Sequence, residues 1–242
     1  MGNNSNYSPP GFINYYCRLF DVCTIMEDST TREKILKKIR KALTNPRPKP
    51  FPKVDWESNV HVISANPLEE TFAKEFTAIG GRFIFCENEI DFLEQLVQHS
   101  SEGGWKKIYC YEEALCELLE KVEFPFTRDQ DDFKEGMVAI TSCEALVARL
   151  GSIMVSSKSQ SGRRLVVVPT VHVVFAKTSQ LVPDVRDALQ LIKNKYGEQM
   201  PSFIASLAGP SRTADIEKTL VTPAHGPRDI FVFLIDDSPK EN

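Results

Sequence analysis

The side chains best suited to chemistry gather in residues 209–217, which read GPSRTADIE directly after the apolar run 203–207. A loop that leaves a strand and enters a helix is where α/β sheets place ligands. Gly209 permits close backbone approach, and Ser211 or Thr213 is of the type that caps a helix. The free N–H groups of a first helical turn attract an anion, and Arg212 adds a planar fork suited to carboxylate or phosphate. Asp215 and Glu217 fall in the same segment and complete a candidate ligand-binding set. An ordinary capped helix, with Arg212 in solvent, would use the same residues without a ligand.

His225, in the sequence His-Gly-Pro, follows shortly after and is the candidate proton carrier or substrate hydrogen-bond donor. A histidine beside Gly226 and Pro227 serves equally well to tie a loop together. His172 reads as a strand-end residue bonded to backbone, while His61 and His99 suggest no function. Glu144, near the end of a predicted strand, is a candidate carboxylate nucleophile, although a glutamate at a helix start has the same signature.

These groups need a frame. Thr30 and Glu33 have capping-box spacing ahead of Ile35, Leu36, Ile39 and Leu43, which predicts a first helix. Pro46, Pro48, Pro50 and Pro52 then form an extended linker. Residues 1–27 read as a dispensable extension, 28–52 as the helix and linker, and 53–238 as one α/β domain. In that domain Asn66-Pro67 opens a helix with Leu68, Phe72, Phe76 and Ile79 on one face, and Gly80-Gly81 stops it. Strands are predicted at 83–85 and 108–110, with a helix capped by Asn88 turning Phe92, Leu93, Leu96 and Val97 inward, and another around Ala114, Leu115 and Leu118. Runs at 138–141, 153–155, 165–168 and 171–176 read as strands in a mixed or antiparallel portion. A helix from about Pro183, a strand at 203–207, a short helix within 213–220 and a last strand at 230–235 close the pattern.

A chain of 242 residues, 42% hydrophobic, has the composition of an ordinary globular protein. A net charge of -4 gives no basic excess for nucleic acid, and the longest apolar runs fall far short of the roughly 20 residues of a membrane span. The N-terminal residues lack a secretion-signal pattern, so a cytoplasmic location is expected. Six cysteines occur without a C-x-x-C pair, which speaks for buried thiols and against a metal or iron–sulfur site on this chain.

The GPSRTADIE stretch, the following His-Gly-Pro and the closing apolar strand occur in the order found in LUD-domain (lactate-utilisation) proteins, and the sequence resembles that family, most closely its cluster-free C-type member. Gly151 and Ser152 resemble the start of the family's glycine-led strand and join the candidate ligand contacts. Residues 163–165, 169–172 and 178–182 resemble further family segments. Arg149-Leu150 stands where many members have an acidic residue and threonine, and Pro169-Thr170 where Pro-Pro is common. The resemblance implies a Rossmann-like α/β sheet similar to ribose-5-phosphate isomerases and CoA transferases. It further implies the cluster-free component of a system that oxidises L-lactate to pyruvate, with iron–sulfur centres on two partner proteins and no cofactor on this chain. Arg212 and the helix start would then hold a carboxylate, with His225 near the reacting hydroxyl. Two other functions fit the same sequence: a free-standing isomerase or CoA transferase using Glu144, and a non-catalytic assembly or regulatory protein.

Overall fold

The apolar runs of this chain are short and β-branched, and most of them line up as strands. The computed structural model describes residues 30–44, 58, 61, 65–129, 137–210, 213–214, 220–221 and 226–238, and the chain divides into two units, Met1–Val60 and His61–Asn242. In the first unit, α1 (Thr31–Thr44) begins where Thr30 Oγ1 accepts the Glu33 N–H at 3.4 Å, half of the predicted capping box. The proline-alternating stretch lies outside the described residues.

The second unit runs α2 (Leu68–Ala78), β1 (Arg82–Cys86), α3 (Glu89–Gly103), β2 (Ile108–Tyr109), α4 (Glu113–Glu120), β3 (Val138–Ser142), β4 (Ala145–Val147) and β5 (Ser152–Ser156). It continues with α5 (Arg164–Val167), β6 (Val171–Lys177), β7 (Leu181–Val182), α6 (Val185–Tyr196), β8 (Ile204–Leu207), β9 (Thr213–Ala214), β10 (Leu220–Val221) and β11 (Asp229–Ile235). Local chemistry explains the helix starts. Asn88 accepts the Ile90 and Asp91 N–H groups to open α3, and Asp184 accepts from Val185 to open α6.

Five strands form one parallel sheet in the order β1-β11-β6-β3-β2. Its largely apolar centre follows from burial on both faces, as parallel sheets require. On one face Ile140, Val173, Phe231 and Phe233 pack against Phe92 and Leu96 of α3 and Leu115 and Leu119 of α4. On the other, Val174, Val232 and Leu234 meet Phe72 and Phe76 of α2 and Leu146, Ile153 and Val155 of a second sheet. That second sheet, β7-β4-β5-β8, is mixed, and its outer side, Ala145, Val147 and Met154, is covered by Ala188 and Ile192 of α6. The α/β class is what the sequence predicts, but of the runs assigned to a mixed portion only 153–155 lies in the mixed sheet. Runs 138–141 and 171–176 instead pair in parallel at the centre of the five-stranded sheet, because an apolar run buried on both faces does not record the direction of its neighbour.

Three expectations change. Residues 165–168 are not a strand: Arg164–Val167 forms one helical turn, because no strand neighbour pairs with it and the run between Gly162 and Pro169 is short enough to suit either state. The helix expected within 213–220 is replaced by an antiparallel pair, Ala214 opposite Leu220 and Thr213 opposite Val221. Val97 is half-exposed rather than inward. In addition, β8 joins the smaller sheet, antiparallel to β5, so Gly209 does not follow a strand of the parallel sheet.

Candidate functional site

The best-built polar crevice lies at the carboxyl ends of β2 and β3. The loop after β2 brings Glu112, the end of β3 brings Ser142, Cys143 and Glu144, the end of β5 brings Ser156 and Lys158, and the last turn of α6 brings Lys195 and Tyr196. Together they line a cavity of about 210 Å3, at the edge of a parallel sheet where α/β folds bind ligands.

Glu144 is buried with 4% of its side chain exposed, and three donors hold it. Ser156 Oγ and Tyr196 Oη donate to Oε1 at 2.6 and 2.8 Å, and Lys195 Nζ sits 2.8 Å from Oε2. Burial pushes the Glu144 carboxyl up, but the hydrogen bonds from Lys195, Ser156 and Tyr196 and the lysine charge outweigh it, so its pKa falls below the ordinary value. For Lys195 burial acts downward and Glu144 outweighs it upward. Burial and Glu144 both raise the Tyr196 hydroxyl. At neutral pH the site thus holds an ion pair with a phenol kept protonated. Lys195, about half exposed, keeps further N–H donors for a ligand.

Across the same cavity, Glu112 Oε1 accepts from the Ser142 N–H at 3.0 Å, Ser159 Oγ at 2.9 Å and Ser161 Oγ at 2.6 Å. Gln160 Oε1 accepts the Glu113 N–H at 2.8 Å. The three of these bonds made by Ser159, Gln160 and Ser161 pin that segment beside the crevice. Lys158, at the mouth, has no hydrogen-bond or ion-pair partner for its ammonium among the described residues.

Of the residues singled out by sequence, Glu144 is in this crevice; the others are elsewhere or undescribed. Ser211, Arg212, Asp215, Glu217 and His225 lie outside the described residues, and of Thr213 only the strand backbone is described. Gly209 takes φ 76°, and a Cβ there would come within 2.9 Å of the Ile79 carbonyl. Gly151 has φ 56° and lies so close to α2 that a Cβ would stand 2.3 Å from the Phe76 nitrogen, so its smallness serves packing. Ser152 is fully buried behind it, its hydroxyl without a partner among the described residues.

Arg149 is bound on both sides by Asp184, at 3.0 and 2.9 Å. A second cavity of about 220 Å3 beside it, with His61, Asn66 and Lys74, therefore has its arginine already engaged. His172 is fully buried and meets the Thr141 hydroxyl at 2.9 Å rather than backbone. Because Thr141 Oγ1 donates to the Ser142 carbonyl, the shared proton belongs to His172 Nε2, which leaves Nδ1 bare. The described cysteines, Cys86, Cys110, Cys116 and Cys143, are all buried and unpaired, and burial drives Cys86 up to about 12. Among the described residues no group of three or more His, Cys, Asp or Glu is placed to hold a metal ion. No described helix is long and apolar enough to cross a membrane.

Sequence reasoning missed Glu112, Lys158, Lys195 and Tyr196. Glu112 carried a faint signal, standing at the end of a strand before a helix; Lys195 and Tyr196 read as an ordinary basic helix end.

The model of the LUD domain matches residues 127–235. Lactate utilization protein C of Bacillus licheniformis is 31% identical over 106 residues, covering 43% of this chain and 44% of the relative. Its namesake in Anoxybacillus flavithermus is 26% identical over 187 residues, covering 72% of this chain and 83% of the relative. The stronger alignment thus spans less than half of the relative's length. A DUF162 family protein from Deinococcus radiodurans, solved by crystallography, shares the fold at a TM-score of 0.52 and 16% identity, over 69% of this chain and 96% of that one.

Proposed function

Starting from the likeness to the LUD domain and to lactate utilization protein C, which bears out the resemblance read from the sequence, we propose that this chain serves L-lactate utilisation. In this reading it is the component without a cofactor of its own, and it binds the small carboxylic acid while iron–sulfur partner proteins take the electrons. Oxidation of L-lactate to pyruvate releases two electrons and two protons, and the electrons leave through those partners.

The observation that carries the binding role is the Lys195 ammonium, fixed by the buried Glu144 at the carboxyl end of the parallel sheet and facing, with Lys158, a cavity of about 210 Å3. The Lys158 ammonium, and the N–H donors of Lys195 that its bond to Glu144 leaves over, suit a carboxylate. A CoA-transferase role for Glu144 is disfavoured, because the bonds from Ser156, Tyr196 and Lys195 stabilise its carboxylate and so lower its nucleophilicity.

Calorimetric titration with L-lactate, pyruvate, ribose 5-phosphate and coenzyme A tests the reading, beside Lys158→Ala and Arg212→Ala. Lactate or pyruvate binding that Lys158→Ala weakens at least tenfold supports the crevice. Loss only in Arg212→Ala moves the carboxylate site to residues 209–217. Binding of ribose 5-phosphate or coenzyme A alone favours an independent enzyme, and silence from all four favours an assembly role.

A further inference from the structure

Glu112 is the one buried carboxylate at the crevice whose second oxygen is unused among the described residues. All three of its hydrogen bonds arrive at Oε1, from the Ser142 N–H, Ser159 Oγ and Ser161 Oγ. Three donors on one oxygen fix the carboxyl plane, so Oε2 is held in place before any ligand arrives. The residue is 9% exposed and lines the same cavity as Lys158 and Lys195. The cavity therefore presents two kinds of unspent group: ammonium donors and one fixed acceptor.

We propose that Glu112 Oε2 accepts a hydrogen bond from the substituent on the second carbon of a short carboxylic acid whose carboxylate lies against Lys158 and Lys195. The crevice is then selective for a 2-hydroxy acid over the corresponding 2-oxo acid. This rests on the preceding reading of the crevice as the carboxylate site. A hydroxyl donates to the waiting oxygen, whereas a 2-oxo group sets acceptor against acceptor and displaces water from that oxygen without replacing its hydrogen bond. Sites built around such a hydrogen bond reject analogues that lack the donor far more strongly than apolar pockets reject a missing methylene. The same contrast makes the oxidised acid the weaker ligand, which favours its release.

The test is calorimetric titration of the full chain with L-lactate, propionate, pyruvate and L-alanine, using wild type, Lys158→Ala and Glu112→Gln. In the wild type, lactate binds at least tenfold tighter than propionate or pyruvate. In Glu112→Gln the three donors claim the amide oxygen, so the amide NH2 faces the cavity and the preference turns toward pyruvate; a merely structural loss would weaken all acids alike. Equal wild-type affinity for lactate and propionate, still dependent on Lys158, overturns the role of Glu112 and leaves the carboxylate site standing. Tighter binding of L-alanine than of lactate overturns the hydroxy-acid assignment in favour of an amino acid. Absence of binding by any acid, or binding indifferent to Lys158→Ala, overturns the crevice reading itself. The wild-type series decides the matter even if Glu112→Gln fails to fold.

Discussion

Lys195 Nζ stands 2.8 Å from Glu144 Oε2, a contact between the end of α6 and the end of β3 that spans 51 residues of sequence. The Glu144 side chain is buried and the lysine half-exposed, so the pair is asymmetric: removing the lysine strands a buried charge, while removing the glutamate frees a solvated one.

Lys195→Met should therefore cost about 1–3 kcal/mol at pH 7, the range of a charge-assisted hydrogen bond, toward its lower end because water screens the lysine. The pKa of Glu144 is depressed in the fold, so its contribution is present above the ordinary 4.5 and is lost as pH falls through the lower folded value. That of Lys195 is raised, so its share is present below 10.5 and is lost as pH rises through the higher folded value. Urea denaturation of wild type and variant should differ most between those limits and converge once the pH lies below the folded value for Glu144.

His172 is neutral because burial lowers its pKa from 6.5 to about 4. The unfolded chain binds the proton first, so the fold loses stability as pH falls from 6.5 toward 4, by roughly 3 kcal/mol for this one group. His172→Gln should flatten that part of the pH profile of the melting temperature, a change visible by circular dichroism.

Gly151→Ala places a methyl 2.3 Å from the Phe76 nitrogen at a residue with φ 56°. Both the backbone and the contact oppose it, and helix backbone cannot step aside as a flexible side chain can. The expected loss is about 2–4 kcal/mol, read as a fall in melting temperature.

Asp184 both caps α6 and holds Arg149 in a two-pronged bond at 2.9 and 3.0 Å. Asp184→Ala should cost about 1–2 kcal/mol, chiefly the lost cap. Asp184→Asn should keep most of the cap and lose the ion pair, which separates the two by denaturant midpoint.

Much of the fold was legible because its signals are local. The Asn88 and Asp184 caps, the Phe72 and Phe76 spacing on α2 and the continuous apolar run of β11 act within a few residues of themselves. The Gly162 to Pro169 segment misled because a four-residue apolar run suits a helical turn as well as a strand, and only its lack of a pairing partner decides. The apolar run 203–207 was correctly read as a strand, but its place in the smaller sheet was not legible, since a strand's pattern does not name its neighbour.

By itself, then, the sequence determined the α/β class, most element positions and the family likeness, because periodicity, capping and motif order are carried by neighbouring residues. Tertiary structure alone decided that β11, last in the chain, lies between β1 and β6, and that Glu112, Glu144, Lys158 and Lys195 share one cavity. Those contacts bridge tens of residues, from the Ser161 hydroxyl on Glu112 to the Lys195 ammonium on Glu144. Nothing in the local pattern of a charged residue records which distant partner will meet it once the sheets stack.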